Sequence, residues 1–349
     1  MRYYLILFFS FILLSCQEEI NLDLPDSERR LVVEGSIENG FPPYIILSKS
    51  AGYFDEIDSN TVINSYVHNA EKVTVWYYSE TGDSIGKILE RLPEELGLPG
   101  LYTDIEYITS ALSGNTAPYD FSKEGRTYFL EIKWNNQTIT SETTIPTPTP
   151  LDSLWIDESS VDDEEFKCDI KAIYSDPADQ QNNILIKSKR LQHYVKEKCN
   201  IENQPDFSLK LIDAGSDILI NGETFETYFP KPSEGGGFPS GSYNSARNKE
   251  CNDGTILEIP EDIVLIKFCQ IDEPSMKFWR GLSRASASGG NPFSEPLNLV
   301  SNINGGLGIW SGYGAVYYKV PIILGTSILE QYDPQITVDE NGNLIIDIL

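Results

Sequence analysis

The sequence predicts a mostly β protein: an N-terminal β-sandwich of immunoglobulin or prealbumin type, then a second β-rich domain with one or two short helices. Three observations carry this. Short runs of β-branched and aromatic residues recur, each bounded by turn residues. Several of these runs alternate apolar and polar residues, the period of a strand with one buried face. The third is the segment "TIPTPTP" (144–150), where alternating proline and threonine favours stiff, extended backbone that cannot lie inside a sheet. It sets the expected boundary between a sandwich at 30–149 and a β-rich domain at 150–349.

In the first part, "RLVVEGSI" (30–37) and "PYIILSKS" (43–50) read as strands separated by the turn "ENGFP". "EKVTVWYYSE" (71–80) alternates before "TGDS", "GRTYFLEIKW" (125–134) alternates too, and "NNQ" turns it into "TITSETTI" (138–145). "LERLPEELG" (89–97) fits a helical turn between strands. In the second part, "DIVLIKFCQID" (262–272) is a strand, and "ITVDENGNLIIDI" (336–348) is a hairpin turning at Asn341-Gly342. "NILIKSKRLQHYV" (183–195) reads equally as strand or helix. One helix is predicted over 274–286, with Pro274 at its first position and Met276, Trp279 and Leu282 recurring on one side. Residues 233–254 form a long glycine-serine loop, either functional or disordered. No internal repeat or heptad pattern is visible.

The chain opens with Arg2 and an apolar run at 3–14. A bilayer-spanning helix needs roughly 20 apolar residues, so this run has instead the proportions of a secretory signal core. Leu13-Leu14-Ser15-Cys16 resembles a bacterial lipobox, with a small residue before the cut and a nucleophilic thiol after it. The expected organisation is a signal peptide at 1–15, acylation at Cys16 and a tether at 16–29. Acyl chains contribute about 0.8 kcal/mol per buried methylene, and several chains give stable anchoring. The formal net charge of −27 disfavours nucleic acid, and no basic run is present to grip phosphates.

Beyond Cys16 the cysteines are Cys168, Cys199, Cys251 and Cys269. Export and an even count predict at least one disulfide; three pairings are possible, and Cys251 with Cys269, flanking a short segment, is a natural one. With no C-x-x-C pair and two distant histidines, His68 and His193, no zinc site is expected. No cofactor is expected either. There is no G-x-S-x-G elbow, and two histidines leave little material for a nucleophilic triad. Paired carboxylates of the glycosidase kind lose diagnostic value among 53 acids. The acidic run at 157–165 lacks the spacing and the glycine of a calcium loop and reads as a solvated loop; "DPADQQNN" (176–183) reads as a turn. Gly235 to Gly237 is followed by no lysine-threonine pair and is not a phosphate loop. In 289–314, glycines permit close backbone approach while Phe293, Trp310 and Tyr313 offer contact area. Phe293, Asn302, Gly305, Gly306, Gly308, Trp310 and Tyr313 are therefore the candidate interface, with packing into the domain's own core as the alternative; Leu297, Leu299, Val300, Ile303 and Leu307 read as core.

Several segments together carry a resemblance: "EEINLDLPDSERRLVVEGSIENG" and "PYIILSKSAGYF" after the lipobox, then "FSKEGRTYFLEI", "TSETTIPTPTPLDSL", "FWRGL", "GGNPFSEP" and "SNINGGLGIWSGYG". In order and spacing they resemble the Bacteroidota lipoproteins grouped as domain of unknown function 4249, with Trp310 standing where those proteins have phenylalanine. The resemblance implies a two-part β-rich architecture and an accessory lipoprotein of a TonB-dependent outer-membrane transporter. It implies no catalytic residues. The acidic Gln17-Glu18-Glu19 resembles a surface-export signal of that phylum, and Asp83-Ser84-Ile85 and Asp152-Ser153-Leu154 resemble its O-glycosylation tripeptide. The expectation is a non-enzymatic, lipid-anchored protein on the outside of the outer membrane that helps capture a transporter's ligand, such as a peptide. The alternatives are a surface adhesion or structural module and a surface-anchored hydrolase.

Overall fold

Alternating runs become strands wherever the sequence shows them. A computed structural model describes residues 29–349 except 52–57, 97, 115–117, 159–166, 179–181, 198–199, 217–220, 233–242, 245–246, 252, 289–298 and 340–341. Before the proline-rich segment lie β1 (Leu31–Glu38), β2 (Tyr44–Lys49), β3 (Lys72–Tyr78), β4 (Ser84–Arg91), β5 (Leu101–Thr103), β6 (Thr127–Trp134) and β7 (Gln137–Thr144). Next come β8 (Ser153–Glu158), β9 (Lys167–Ser175), β10 (Asn183–Gln192), β11 (Tyr194–Glu197), β12 (Asn200–Asn203), β13 (Lys210–Ser216) and β14 (Thr224–Phe229). The last are β15 (Tyr243–Asn244), β16 (Arg247–Glu250), β17 (Ile256–Ile259), β18 (Ile263–Ile271), β19 (Leu307–Pro321), β20 (Ser327–Ile328), β21 (Ile336–Val338) and β22 (Leu344–Ile346). Helices Ser59–Ser65, Ile105–Leu112 and Glu273–Ser288 accompany them. The protein is mostly β, as its alternation predicts.

One long sheet runs in the order β13-β10-β18-β19-β1-β2-β5-β4-β3-β6-β7, and a second in the order β14-β9-β8-β20. Three cores result. Strands β1 and β2 face β3, β6 and β7 over Val33, Ile45, Val75, Leu130 and Trp310. Strands β10, β18 and β19 face β8 and β9 over Ile186, Ile266, Phe268, Tyr174 and Val316. The opposite face of the long sheet is covered by the helix Glu273–Ser288 and by residues 344–349, over Leu265, Tyr313, Trp279 and Ile346.

Strand β19 organises all three. Its first half pairs parallel with β1, from Val32 opposite Leu307 to Glu38 opposite Tyr313. Its second half pairs antiparallel with β18, from Ile271 opposite Tyr313 to Ile263 opposite Pro321. Because strand side chains alternate in direction, Ile309, Tyr313 and Tyr317 enter the helix-covered core. Trp310 points the other way into the first sandwich, and Val316, Tyr318 and Val320 into the second. Between those two cores the proline-rich segment crosses the strand. A Cβ on Gly312 would lie 2.2 Å from the Thr144 carbonyl oxygen, and one on Gly314 would lie 2.1 Å from that of Pro146. The segment is fastened at its far end, where Thr149 N donates to Gln270 Oε1 (2.8 Å) and Leu151 N to Tyr318 Oη (2.8 Å).

Local readings resolve as follows. Residues 183–195 are strand, in β10 and the start of β11. Residues 89–91 end β4, and the helical turn is the single 3-10 turn Glu94–Leu96. The long helix starts one residue earlier than predicted because Asp272 caps it, accepting from Ser275 N at 2.9 Å; Pro274 is its second residue. The predicted loop at 233–254 contains β15 and β16, while Gly235 to Gly237 lie outside the described residues. Helices Ser59–Ser65 and Ile105–Leu112 are too short for their period to show in sequence, and their signal is the capping aspartates Asp58 and Asp104.

One pairing among the cysteines needs correction. Cys168 and Cys269 are free, so the Cys251–Cys269 bridge does not form. Cys269 sits in β18 on the helix-covered face, buried in the core there. Cys251 is buried, and Cys199 lies outside the described residues.

Candidate functional site: a lysine-lined cavity

A period-2 run fixes which side chains share a face. In β10 that rule places Leu185, Lys187, Lys189 and Leu191 together, and in β18 it places Lys267 with Leu265 and Cys269. Lys187 and Lys267 are direct partners across the ladder. From β1 the same face carries Glu34, Ser36 and Glu38. The helix contributes Trp279, and the segment 344–349 contributes Leu344, Ile346 and Ile348. The three lysines, Glu34, Ser36, Trp279 and the 344–349 segment, together with Tyr44, Leu191, Phe207, Leu209 and Tyr313, line a cavity of about 520 Å³. Most of its wall is apolar; the three lysines and Glu34 stand on the sheet side, and Asp206 and Asp339 on the facing segments.

The three lysines are held differently. Lys267 forms a buried ion pair with Glu38, whose other oxygen accepts from Tyr317 Oη at 2.8 Å. Lys189 Nζ donates to the main-chain oxygens of Ile346 and Leu349, both at 3.2 Å. Burial pushes its pKa down to about 8. Lys187 has no hydrogen bond or ion pair among the described residues. Its Nζ lies 3.7 Å from the centre of the Trp279 ring, a cation–π contact. Burial first, and repulsion from Lys267 second, lower its pKa to about 8. Lys187 is half-buried and lines the cavity.

The acids are accounted for. Asp206 accepts from Arg190 Nε and Nη2 (both 3.1 Å) and Lys210 Nζ (2.9 Å). Burial opposes its ionisation, yet these bonds hold its carboxyl well below the usual range. Asp339 accepts from the backbone and side-chain amides of Asn343. Glu34 is exposed, so water solvates its charge. Trp279 Nε1 donates to Tyr313 Oη at 3.1 Å, fixing both rings in the wall. Burial keeps the Tyr313 phenol protonated.

The interface candidates are placed elsewhere than predicted. Trp310 is fully buried, its Nε1 donating to the Tyr128 carbonyl at 3.2 Å, so it is a core residue and not an exposed anchor. Tyr313 is 3% exposed and lines the cavity from below. Asn302 plugs the open edge of β19: its Oδ1 accepts from Trp310 N (2.9 Å) and its Nδ2 donates to Trp310 O (2.7 Å). Gly308 (φ +100°) crosses Val33, and a Cβ there would lie 1.9 Å from the Val33 carbonyl oxygen. Gly305 and Gly306 form the turn beside Ile139. Of the core candidates, Ile303 is buried whereas Leu299 and Val300 are exposed. Cys16, Phe293 and Leu297 lie outside the described residues.

No group of three metal-ligating side chains occurs among the described residues. Asp157 pairs with Lys171 at 2.9 Å, and Asp176 anchors its turn by accepting from Gly222 N at 3.0 Å. The residues missed in sequence are Lys187, Lys189, Lys267 and Glu38. A signal was present: Lys267 is the one charged residue in a mostly apolar strand whose every residue but the first is buried.

Two sandwich-like halves built on one shared sheet, with a charged cavity on its outer face, define a β-rich protein with an internal ligand-sized space. The family is shown by direct comparison: the family model described as "Domain of unknown function (DUF4249)" matches residues 17–318, and the chain belongs to that family. No curated protein matches the chain.

Proposed function

We propose that this chain is a lipoprotein of the outer cell surface, non-enzymatic, that holds a ligand in the lysine-lined cavity beside a TonB-dependent outer-membrane transporter. The cavity carries the reading. At about 520 Å³ it falls within the roughly 300–1,000 Å³ of small-molecule sites, and it pairs apolar walls with a few placed polar groups, the usual composition of such sites. Anchoring is supported by the apolar leader and lipobox ending at Cys16. No helix among the described residues is long and apolar enough to cross a membrane. The transporter is supported by the sequence resemblance. Cys16→Ala should shift the protein from the membrane to the soluble fraction, and mass spectrometry should find Cys16 acylated at the mature N-terminus. Purification from detergent-solubilised outer membrane should bring a barrel protein along; recovery of the chain alone would overturn the transporter role.

A further inference from the structure

The unpaired ammonium of Lys187 marks which ligand the cavity takes. We infer that the cavity binds an apolar molecule bearing a single carboxylate, with the carboxylate against Lys187 beside Trp279 and the apolar body along Leu191, Leu209, Ile346 and Ile348. This deepens the ligand-capture reading above and rests on it.

Removing a charge from water without a partner is costly, and a counter-charge recovers that cost. Every other charge withdrawn from water at the cavity has a partner: Lys267 has the carboxylate of Glu38, Asp206 has Arg190 and Lys210, and Lys189 donates to two main-chain oxygens. Lys187 has only the Trp279 face and the cavity. One free ammonium balances one negative charge. A phosphate takes several donors at once, usually arginines or clustered backbone amides, and among the described residues no arginine lines this cavity. Amines are disfavoured because the one unpaired acid, Glu34, stands exposed to water and gains little from a ligand cation. The lowered pKa of Lys187 fits an ammonium waiting for an anion.

The test uses the mature chain with Cys16→Ser, which removes the acyl chains and the need for detergent. Calorimetry would compare octanoate, octan-1-ol and octylamine, three probes that share one apolar body. Octanoate should bind at least tenfold more tightly than either of the others. Lys187→Met should remove that preference without lowering the melting temperature. Equal binding of the alcohol, tighter binding of the amine, or an unchanged preference in Lys187→Met would overturn the inference. On the wild-type chain, the carboxyl of ¹³C-labelled octanoate should titrate well below its free value when bound; an unshifted or raised titration would equally overturn it. Binding of none of the three would reject this ligand class, whereas co-purification with a barrel protein reports separately on the transporter role.

Discussion

Lys267 and Glu38, each 2% exposed, are each other's counter-charge in the floor of the cavity. Removing one partner of a buried pair leaves the other uncompensated, at about 3–5 kcal/mol. Lys267→Met should therefore destabilise the protein by that amount in urea denaturation, and adding Glu38→Gln should recover part of the loss. The Lys187 prediction concerns pH. Lysine titrates near 10.4 when unfolded and near 8 here. Between those values the unfolded chain binds more protons, so this group adds stability as pH rises from 8 to 10. The facing groups are Lys267, Lys189, Glu34, Glu38, Cys269 and Tyr313, and Lys189 acts in the same sense. Wild type should thus gain stability relative to Lys187→Met over that range, and a constant difference would refute the assignment. The thiols give a third test. Burial raises the pKa of Cys168 and pushes that of Cys269 up to about 12. Both should react with a thiol reagent only after unfolding.

At the scale of elements, β19 depends on positions without side chains. Gly312 and Gly314 let the proline-rich segment cross between two cores, and backbone, unlike a flexible side chain, cannot swing aside. Overpacking costs typically about 1–3 kcal/mol, so Gly312→Ala and Gly314→Ala should each lower stability by at least that much. Gly215 in β13 has open space where its Cβ would stand and no left-handed φ. Its change to Ala should stay within about 0.5 kcal/mol. A matched melt of the three variants checks this. The element content of β18 was legible because a short, β-branched apolar run bounded by acids reads as a strand buried on both faces, whereas β10, apolar on both faces without clear period, read equally as strand or helix. That of β19 was not, since "GGLGIWSGYG" holds five glycines, three of them inside the strand, and such a run reads as a bend.

At the scale of the molecule, the first sandwich is completed from the far end of the chain. Trp310 fills its core and β19 covers the edge of β1. A fragment of residues 29–149 lacks both, leaving an unpaired strand edge and a void of tryptophan size. It should fail to give dispersed amide resonances, while the whole chain should unfold in one cooperative transition. Two separate transitions, or a folded fragment, would show that the shared strand is dispensable.

Sequence alone determined the β class, most strand positions and the family, because each is written in local residue order. Period-2 patterning states which side chains share a face, so the grouping of Lys187 with Lys189 was there to be read. It does not state which strand lies alongside. The Lys267–Glu38 pair joins residues 229 positions apart, and the parallel pairing of β1 with β19 brings together opposite ends of the described chain. Such contacts depend on how many strands close over one core at once. The same limit governed the aromatic candidates. Trp310 and Tyr313 are three residues apart, and that odd spacing in a strand sends one into the sandwich and the other to the cavity wall. Only the neighbours on each face decided that neither is a surface anchor.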